Sequence, residues 1–257
     1  MSADGILADL AAEGDELERS VQTAGPDAWG LPTPAEGWTV AHQVAHLAWT
    51  DEWTVVACTD PDGFASRMRA ITSPAVVDEG AAQWARREHL LEDWRAGRRL
   101  ALEALRGVPQ GTKLPWFGPP MSATSMATAR LMETWAHGLD VADALGADVE
   151  LTPRLRHVAH LGVRTRDFAY RVHGAEPPAD PFRVELAGAA GELWTWGPAD
   201  AGQRVTGPAL DFCQLVTQRR HRDDLALHAE GPDADTWLGI AQAFAGAPGS
   251  GRQPRGT

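Results

Sequence analysis

The stretch SATSMATARLMETWAHGLDVADALG, residues 122–146, reads as one long helix closing at Gly146, a residue type suited to a left-handed C-terminal stop. Inside it, Glu133 and His137 stand four residues apart, so both side chains fall on one helix face about one turn from each other. An imidazole and a carboxylate so placed can share a metal ion, although the same spacing also occurs in plain ion pairs on solvated helices. Asp140, three residues beyond His137, lies near the same face, where it either orients a ligand histidine or is a surface acid.

Working back toward the N-terminus, the Gly- and Pro-rich residues 107–121 form a loop. The run 78–106 reads as another long helix, with Gly97 the point at which it could break. Residues 60–77, which contain Pro61, Gly63 and Pro74, form a second loop with room for a short helix. TVAHQVAHLAWTDEWTVVACT, residues 39–59, is a further helix with Thr39 at its N-cap and Gln43 close by. A punctuated loop over 25–38 separates it from a first helix over 3–24, where Ile6, Leu7, Leu10, Leu17 and Val21 keep helical spacing. Four helices divided by Pro/Gly loops predict a four-helix bundle, an architecture whose core commonly hosts metal or ligand sites.

The helix over 39–59 carries His42 and His46, again four apart. Two histidines so spaced can hold zinc, but Gln43 stands where the H-E-x-x-H metalloproteases have their glutamate, so a protease general base is missing. His46 is the preferred ligand, with His42 left at the rim or in a supporting place. His46, Glu133 and His137 then form a two-histidine, one-carboxylate set from two helices. Such a set leaves at least one coordination position open, as catalytic metal sites require.

The pattern changes downstream. Residues 153–173 read as one more helix, and GAEPPADP (174–181) as a linker. FRVELAG and ELWTWG are two short strands split by a turn at Ala189–Gly191. Residues 208–220 form a helix begun by proline, LALHAEG a further strand, and DADTWLGIAQAF a last helix. The expected organisation is a metal-binding helical bundle over 1–150, a connecting helix and linker over 151–181, a small α+β domain over 182–247, and a disordered tail over 248–257.

Composition bounds the function. The 257 residues carry a net charge of −12, and an acidic surface argues against nucleic acid and against anionic membrane as partners. It leaves a small-molecule substrate open. No apolar run is long enough for a membrane span, and the acidic N-terminus lacks the features of a signal peptide, so the expected location is the cytoplasm. Cys58 and Cys213 are the only cysteines, too few and too far apart for a disulfide framework or a closed structural zinc site.

GWTVAHQVAHLAWTDE (37–52) and ETWAHGLDVADALG (133–146) together resemble the DinB-like bundle of mycothiol-dependent maleylpyruvate isomerases and their actinobacterial relatives. Trp38, His46 and Leu47 match that family's W-[ST]-V-x-x-x-x-x-H-L motif. Glu133, His137 and Asp140 match its E-W-x-x-H-x-x-D motif, with Thr134-Trp135 in place of the immediate tryptophan. The resemblance covers most of residues 5–245 and implies that His46, Glu133 and His137 bind a divalent metal, by preference zinc. It also implies a thiol co-substrate, mycothiol, and a C-terminal α+β domain similar to sterol-carrier proteins over 182–245. In the isomerases an arginine at the end of that domain's helix reaches toward the active site; the matching residue here is Arg219, which could equally belong to a solvated basic cluster pairing with Asp223 and Asp224. WFGPPMSATSMATARLMETWAHGLDVADALG (116–146) and QRRHRDDL (218–225) place the chain nearer an actinobacterial metal-binding subgroup than the true isomerases.

The resemblance implies that a thiolate generated at the metal adds to an activated alkene, driving isomerisation, or displaces a leaving group as an S-transferase does. Trp116, Phe117 and Met121 either line an apolar substrate wall or pack between domains, and Arg130 either meets an anionic substrate or is a surface arginine. Two other classes stay open: a thiol-independent, metal-dependent lyase, cyclase or hydrolase, and a non-catalytic protein that binds a small molecule.

Overall fold

Residues 40–59 offer almost no polar stripe, and a helix apolar on nearly every side belongs at the centre of its unit. The computed structural model describes residues 3–73, 75–246, 249 and 251–255 and places that helix inside the first of two units, Met1–Val149 and Glu150–Thr257. The first unit contains α1 (Ala3–Ala24), α2 (Val40–Thr59), α3 (Pro61–Ala70), α4 (Val76–Trp84), α5 (Leu90–Gly107) and α6 (Ala123–Leu145). α2 packs against α3, α4, α5 and α6, while α6 also packs against α1 and α5.

Local chemistry sets the ends of the two central helices. The Thr39 N–H donates to His42 Nδ1 at 3.3 Å, and the Thr39 hydroxyl lies 2.9 Å from the same nitrogen. His42, rather than the neighbouring Gln43, therefore completes the cap of α2. Ser122 accepts from the Ser125 N–H at 3.1 Å to open α6, and Gly146, at φ 64°, closes it. Within α2 the buried hydroxyls of Thr50 and Thr54 donate one turn back, to His46 O at 2.8 Å and Thr50 O at 2.9 Å. No donor on these side chains is left unmet in the core.

A buried ion pair ties α6 to α2. Arg130 Nε and Nη2 lie 3.2 and 3.1 Å from Asp51 Oδ1, and Nη2 also donates to Leu47 O at 3.3 Å. Burial pushes the Asp51 carboxyl above the usual carboxylate range, and the Arg130 guanidinium offsets only part of that. Arg130 is 2% exposed and paired with Asp51, so it is not a surface arginine.

The helix expected over 78–106 is two helices. Gly97 sits inside α5, and the chain turns instead over residues 85–89. There Arg87 folds back, its guanidinium 3.6 Å from the centre of the Trp84 ring and its Nη1 3.0 Å from Asp93 Oδ2. The turn lets α4 and α5 both pack on α2, which one straight helix could not do. The short helix expected within 60–77 is α3; Pro74 lies outside the described residues.

The second unit holds α7 (Leu155–Arg164), α8 (Arg166–Val172), β1 (Phe182–Ala187), β2 (Leu193–Trp196), β3 (Gln203–Pro208), α9 (Ala209–Val216), β4 (His228–Glu230) and α10 (Pro232–Ile240). Its sheet has the order β2-β1-β3-β4. β1 pairs antiparallel with β2, Leu186 opposite Trp194, and parallel with β3, Val184 opposite Val205. β4 pairs antiparallel with β3. Phe182, Val184 and Leu186 alternate into the core, where Trp237 of α10 meets Phe182 and Phe212 edge-on, each at 5.7 Å.

Two expectations for this unit need correction, and one strand lies outside the sequence reading. The single helix over 153–173 is divided at Thr165, whose hydroxyl donates to Leu161 O and Gly162 O, and α7 packs on α9 within the second unit. β3 escapes the sequence pattern because only Val205 is buried along it, Gly202 precedes it and Gly207 and Pro208 end it; its pairing with β1 and β4 supplies what the side chains do not. α9 stops at Val216 rather than 220, with Gln218 at φ 56° and the Arg219 N–H returning to Gln214 O at 2.8 Å. Of the tail expected to be disordered, residues 248, 250, 256 and 257 lie outside the described residues; the Arg255 N–H donates to both carboxylate oxygens of Asp224 at 3.0 Å.

Arg130→Met strands the Asp51 carboxylate in the core and is expected to cost about 3–5 kcal/mol in chemical denaturation. Because the stranded carboxyl's folded pKa is raised above its unfolded value, that loss is fully present at high pH and shrinks as pH falls through the folded pKa. The double variant Asp51→Leu/Arg130→Met is expected to recover most of it.

Candidate metal centre

α2 and α6 bring three donors together. His46 Nε2 lies 3.5 Å and His137 Nε2 3.2 Å from Glu133 Oε2, and one ligand atom from each of the three residues lies within 4.8 Å of the other two. The two imidazole rings have their centres 4.4 Å apart. Ligand atoms about 2.1 Å from an ion in a tetrahedral set stand about 3.4 Å from one another. The two distances to Glu133 bracket that spacing, and two imidazoles with a carboxylate suit a borderline divalent ion such as zinc. The side chains are 10%, 9% and 27% exposed for His46, His137 and Glu133, so the cluster is reached from the carboxylate side.

Burial alone would raise the Glu133 carboxyl. The hydrogen bonds and charges of His137 and His46 together outweigh it and hold the group well below the usual carboxylate range. Glu133 is therefore an anion at neutral pH, the form in which a carboxylate binds a cation.

A loop and an aromatic wall enclose the cluster. Trp38 stacks on His137, ring centres 5.9 Å apart and planes 21° from parallel, and its centre lies 5.6 Å from that of His46. Its indole N–H donates to Asp78 Oδ1 on α4 at 3.2 Å. Trp49, one turn beyond His46, is 6.3 Å from it and presses on α4 at Gly80, where a Cβ would come within 2.7 Å of the ring. Behind Trp49 the cluster continues through Phe117, Trp53, Phe64 and Trp116. Trp116 and Phe117, both partly buried, thus pack against the core of the first unit, while Met121 is bonded through its backbone to Leu114.

Two contributors were missed from sequence. His137 Nδ1 lies 2.5 Å from Gln43 Oε1, and Gln43 Nε2 donates to Thr33 Oγ1 at 2.8 Å. From sequence, Gln43 stands out only for lying near the Thr39 cap and for taking the place of a protease glutamate. Its place three residues before His46, on the same helix face, was the available signal. His42 faces Thr39 and is not a member of the cluster. Asp140 is buried on α6 one turn past His137. Arg219 follows α9 in the second unit, its Nη1 donating to Thr217 O at 2.7 Å. Of the acids expected to pair with the basic run, Asp223 lies near His221 and Asp224 takes the Arg255 N–H, while Arg222 pairs with Asp235.

Residues 10–142 match the family model of the mycothiol maleylpyruvate isomerase N-terminal domain. The match spans more than half of the chain, and the protein belongs to that family. Residues 178–230 match a second model, described as wyosine base formation. Two uncharacterized proteins of Mycobacterium tuberculosis, from strains CDC 1551 and H37Rv, are each 58% identical over 251 residues, covering 96% of this chain and 98% of theirs. The fold matches crystal structures of the mycothiol-dependent maleylpyruvate isomerase and of a histidine-to-alanine mutant of it. Each match has TM-score 0.63 and 16% identity and covers 91% of this chain and 96% of the other.

The chain's own thiols are suppressed. Burial pushes the Cys58 thiol up to about 11 and the fully buried Cys213 thiol higher still. Neither supplies a thiolate near neutral pH. Alkylation of Cys58 by iodoacetamide near neutral pH, followed by mass spectrometry, is expected to run roughly 100-fold slower than for a free thiol and to quicken as pH rises. Rapid labelling of the folded protein would contradict this.

Proposed function

We propose that the protein holds one divalent metal ion, zinc by preference, on His46, Glu133 and His137. In this reading it activates a thiol co-substrate, mycothiol, for attack on a small organic substrate, as an isomerase or S-transferase. The observation that carries the reading is the spacing of the three donor atoms, 3.2 and 3.5 Å about Glu133 Oε2, on helices with an open carboxylate side. Family membership and suppressed internal cysteines support an external thiol. Bound there, a divalent ion supplies Lewis acidity that lowers the pKa of a thiol or a water.

The protein's residues divide the remaining work. Glu133 contributes negative charge, and His46 and His137 contribute neutral donors in fixed positions. Trp38 and Trp49 keep bulk water from the imidazoles and leave the approach beside Glu133. In this reading Asp140 orients a ligand histidine, and Arg219 corresponds to the arginine that the isomerases direct toward their active site. The first unit is then a DinB-like four-helix bundle built on α1, α2, α5 and α6, and the second a small sterol-carrier-protein-like domain. The reading expects a cytoplasmic protein with no nucleic-acid or membrane partner; no helix among the described residues is long and apolar enough to cross a membrane.

Elemental mass spectrometry on the purified protein is expected to find about one equivalent of transition metal per chain, lost in His137→Ala, with binding that weakens as protons compete for the imidazoles at low pH. Turnover that requires added thiol supports the isomerase or transferase reading. Metal-dependent turnover without thiol moves the protein to the lyase, cyclase or hydrolase class. A wild type that takes up no metal when zinc is supplied would leave a small-molecule-binding module.

A further inference from the structure

The hydrogen bonds behind His137 have only one consistent direction. Thr33 Oγ1 donates to Trp38 O at 3.0 Å, which uses the hydroxyl's single proton. Toward Gln43 the same oxygen can only accept, so the atom facing it at 2.8 Å is the amide nitrogen of Gln43. The other end of that amide, Oε1, then faces His137 Nδ1 at 2.5 Å, and an amide oxygen only accepts.

We infer that Gln43, held by Thr33, is a positioning residue that keeps a proton on His137 Nδ1, so that Nε2, the nitrogen facing Glu133 and His46, is the ring atom whose proton, shared with Glu133 in the metal-free chain, leaves when a cation binds. The inference deepens the metal-site reading and rests on it for its purpose, though the proton's place is a property of the metal-free chain. Metal-binding histidines commonly donate their second ring N–H to a carboxylate or carbonyl acceptor; here the acceptor is a side-chain amide on the helix that also carries His46. Gln43 is fully buried, and His46 Nδ1 has no hydrogen-bond partner among the described residues, so the device serves one of the two histidines. The loop over 31–39 anchors it: the Thr33 N–H reaches Trp38 O at 2.8 Å, and Val40 N–H reaches Leu31 O at 3.0 Å. One loop thus orients Gln43 through Thr33 and covers His137 with Trp38.

The test is nitrogen-15 NMR of histidine-labelled, metal-free protein, together with zinc affinity by chelator competition. Wild type is expected to show a proton on His137 Nδ1. Gln43→Leu is expected to lose that signal and to bind zinc about 10–100-fold more weakly. Gln43→Glu, which keeps an acceptor at the ring, is expected to bind at least as tightly as wild type. Thr33→Val gives a second route if Gln43→Leu folds poorly: it is expected to weaken zinc binding several-fold, and Thr33→Ser to restore it. An unprotonated Nδ1 in wild type, or a Gln43→Leu variant with unchanged proton and affinity, overturns the inference. A wild type with the Nδ1 proton but no zinc affinity leaves the inference standing and removes the metal reading.

Discussion

Arg130 and Asp51 bridge α6 and α2 in the core, five residues beyond His46 on one helix and three before Glu133 on the other. Their bonds are directional, and the third bond from Arg130, to Leu47 O, fixes the guanidinium against the backbone of α2 as well as its side chain. Apolar contacts between helices tolerate sliding by fractions of an ångström; a guanidinium held at three points tolerates much less. The donor cluster lies beside this clamp, and its spacing depends on the same two helices keeping their register. A buried pair of this kind adds little net stability, and Asp51 carries the mark of that cost in its raised carboxyl.

Around this frame the first unit manages a difficult group of side chains. Two imidazoles and a carboxylate stand together near an aromatic core, and each has a reason to be there. Glu133 gains more from the two histidines than it loses to burial. His137 has Gln43 behind it and Trp38 against its face. Trp38, Trp49 and Trp53 build the wall here, large flat side chains that bury much area at modest cost in side-chain entropy. The second unit answers a different constraint, a parallel strand pair whose outer edges are each covered by an antiparallel partner.

Much of this was legible in the sequence where a single element carries its own signal. The 3.6-residue period, Thr39 and Gly146 placed α1, α2 and α6 within a residue or two. The i,i+4 pair Glu133/His137 named two of the three cluster residues, and the histidine spacing on the helix over 39–59, with the family motif, named His46. What the reading missed depends on contacts between elements. The turn at 85–89 exists because two short helices pack on α2, whereas the local glycine, Gly97, suggested the wrong break. β3 forms through backbone pairing on both sides, with a single buried valine to announce it. Gln43 became informative only when Thr33 and His137 stood on either side of it.

The sequence by itself determined which residues could be ligands, which helices would present them, and that two cysteines are too few for a disulfide framework. Periodicity and residue chemistry are local properties and survive in one dimension. Tertiary structure decided how closely His46, preferred over His42 from the sequence, stands to Glu133 and His137, that Arg130 is spent on Asp51, and that an amide sits behind the ligand imidazole. Those outcomes turn on distances of about an ångström between residues up to 94 positions apart, which only the packing of α2 against α6 sets.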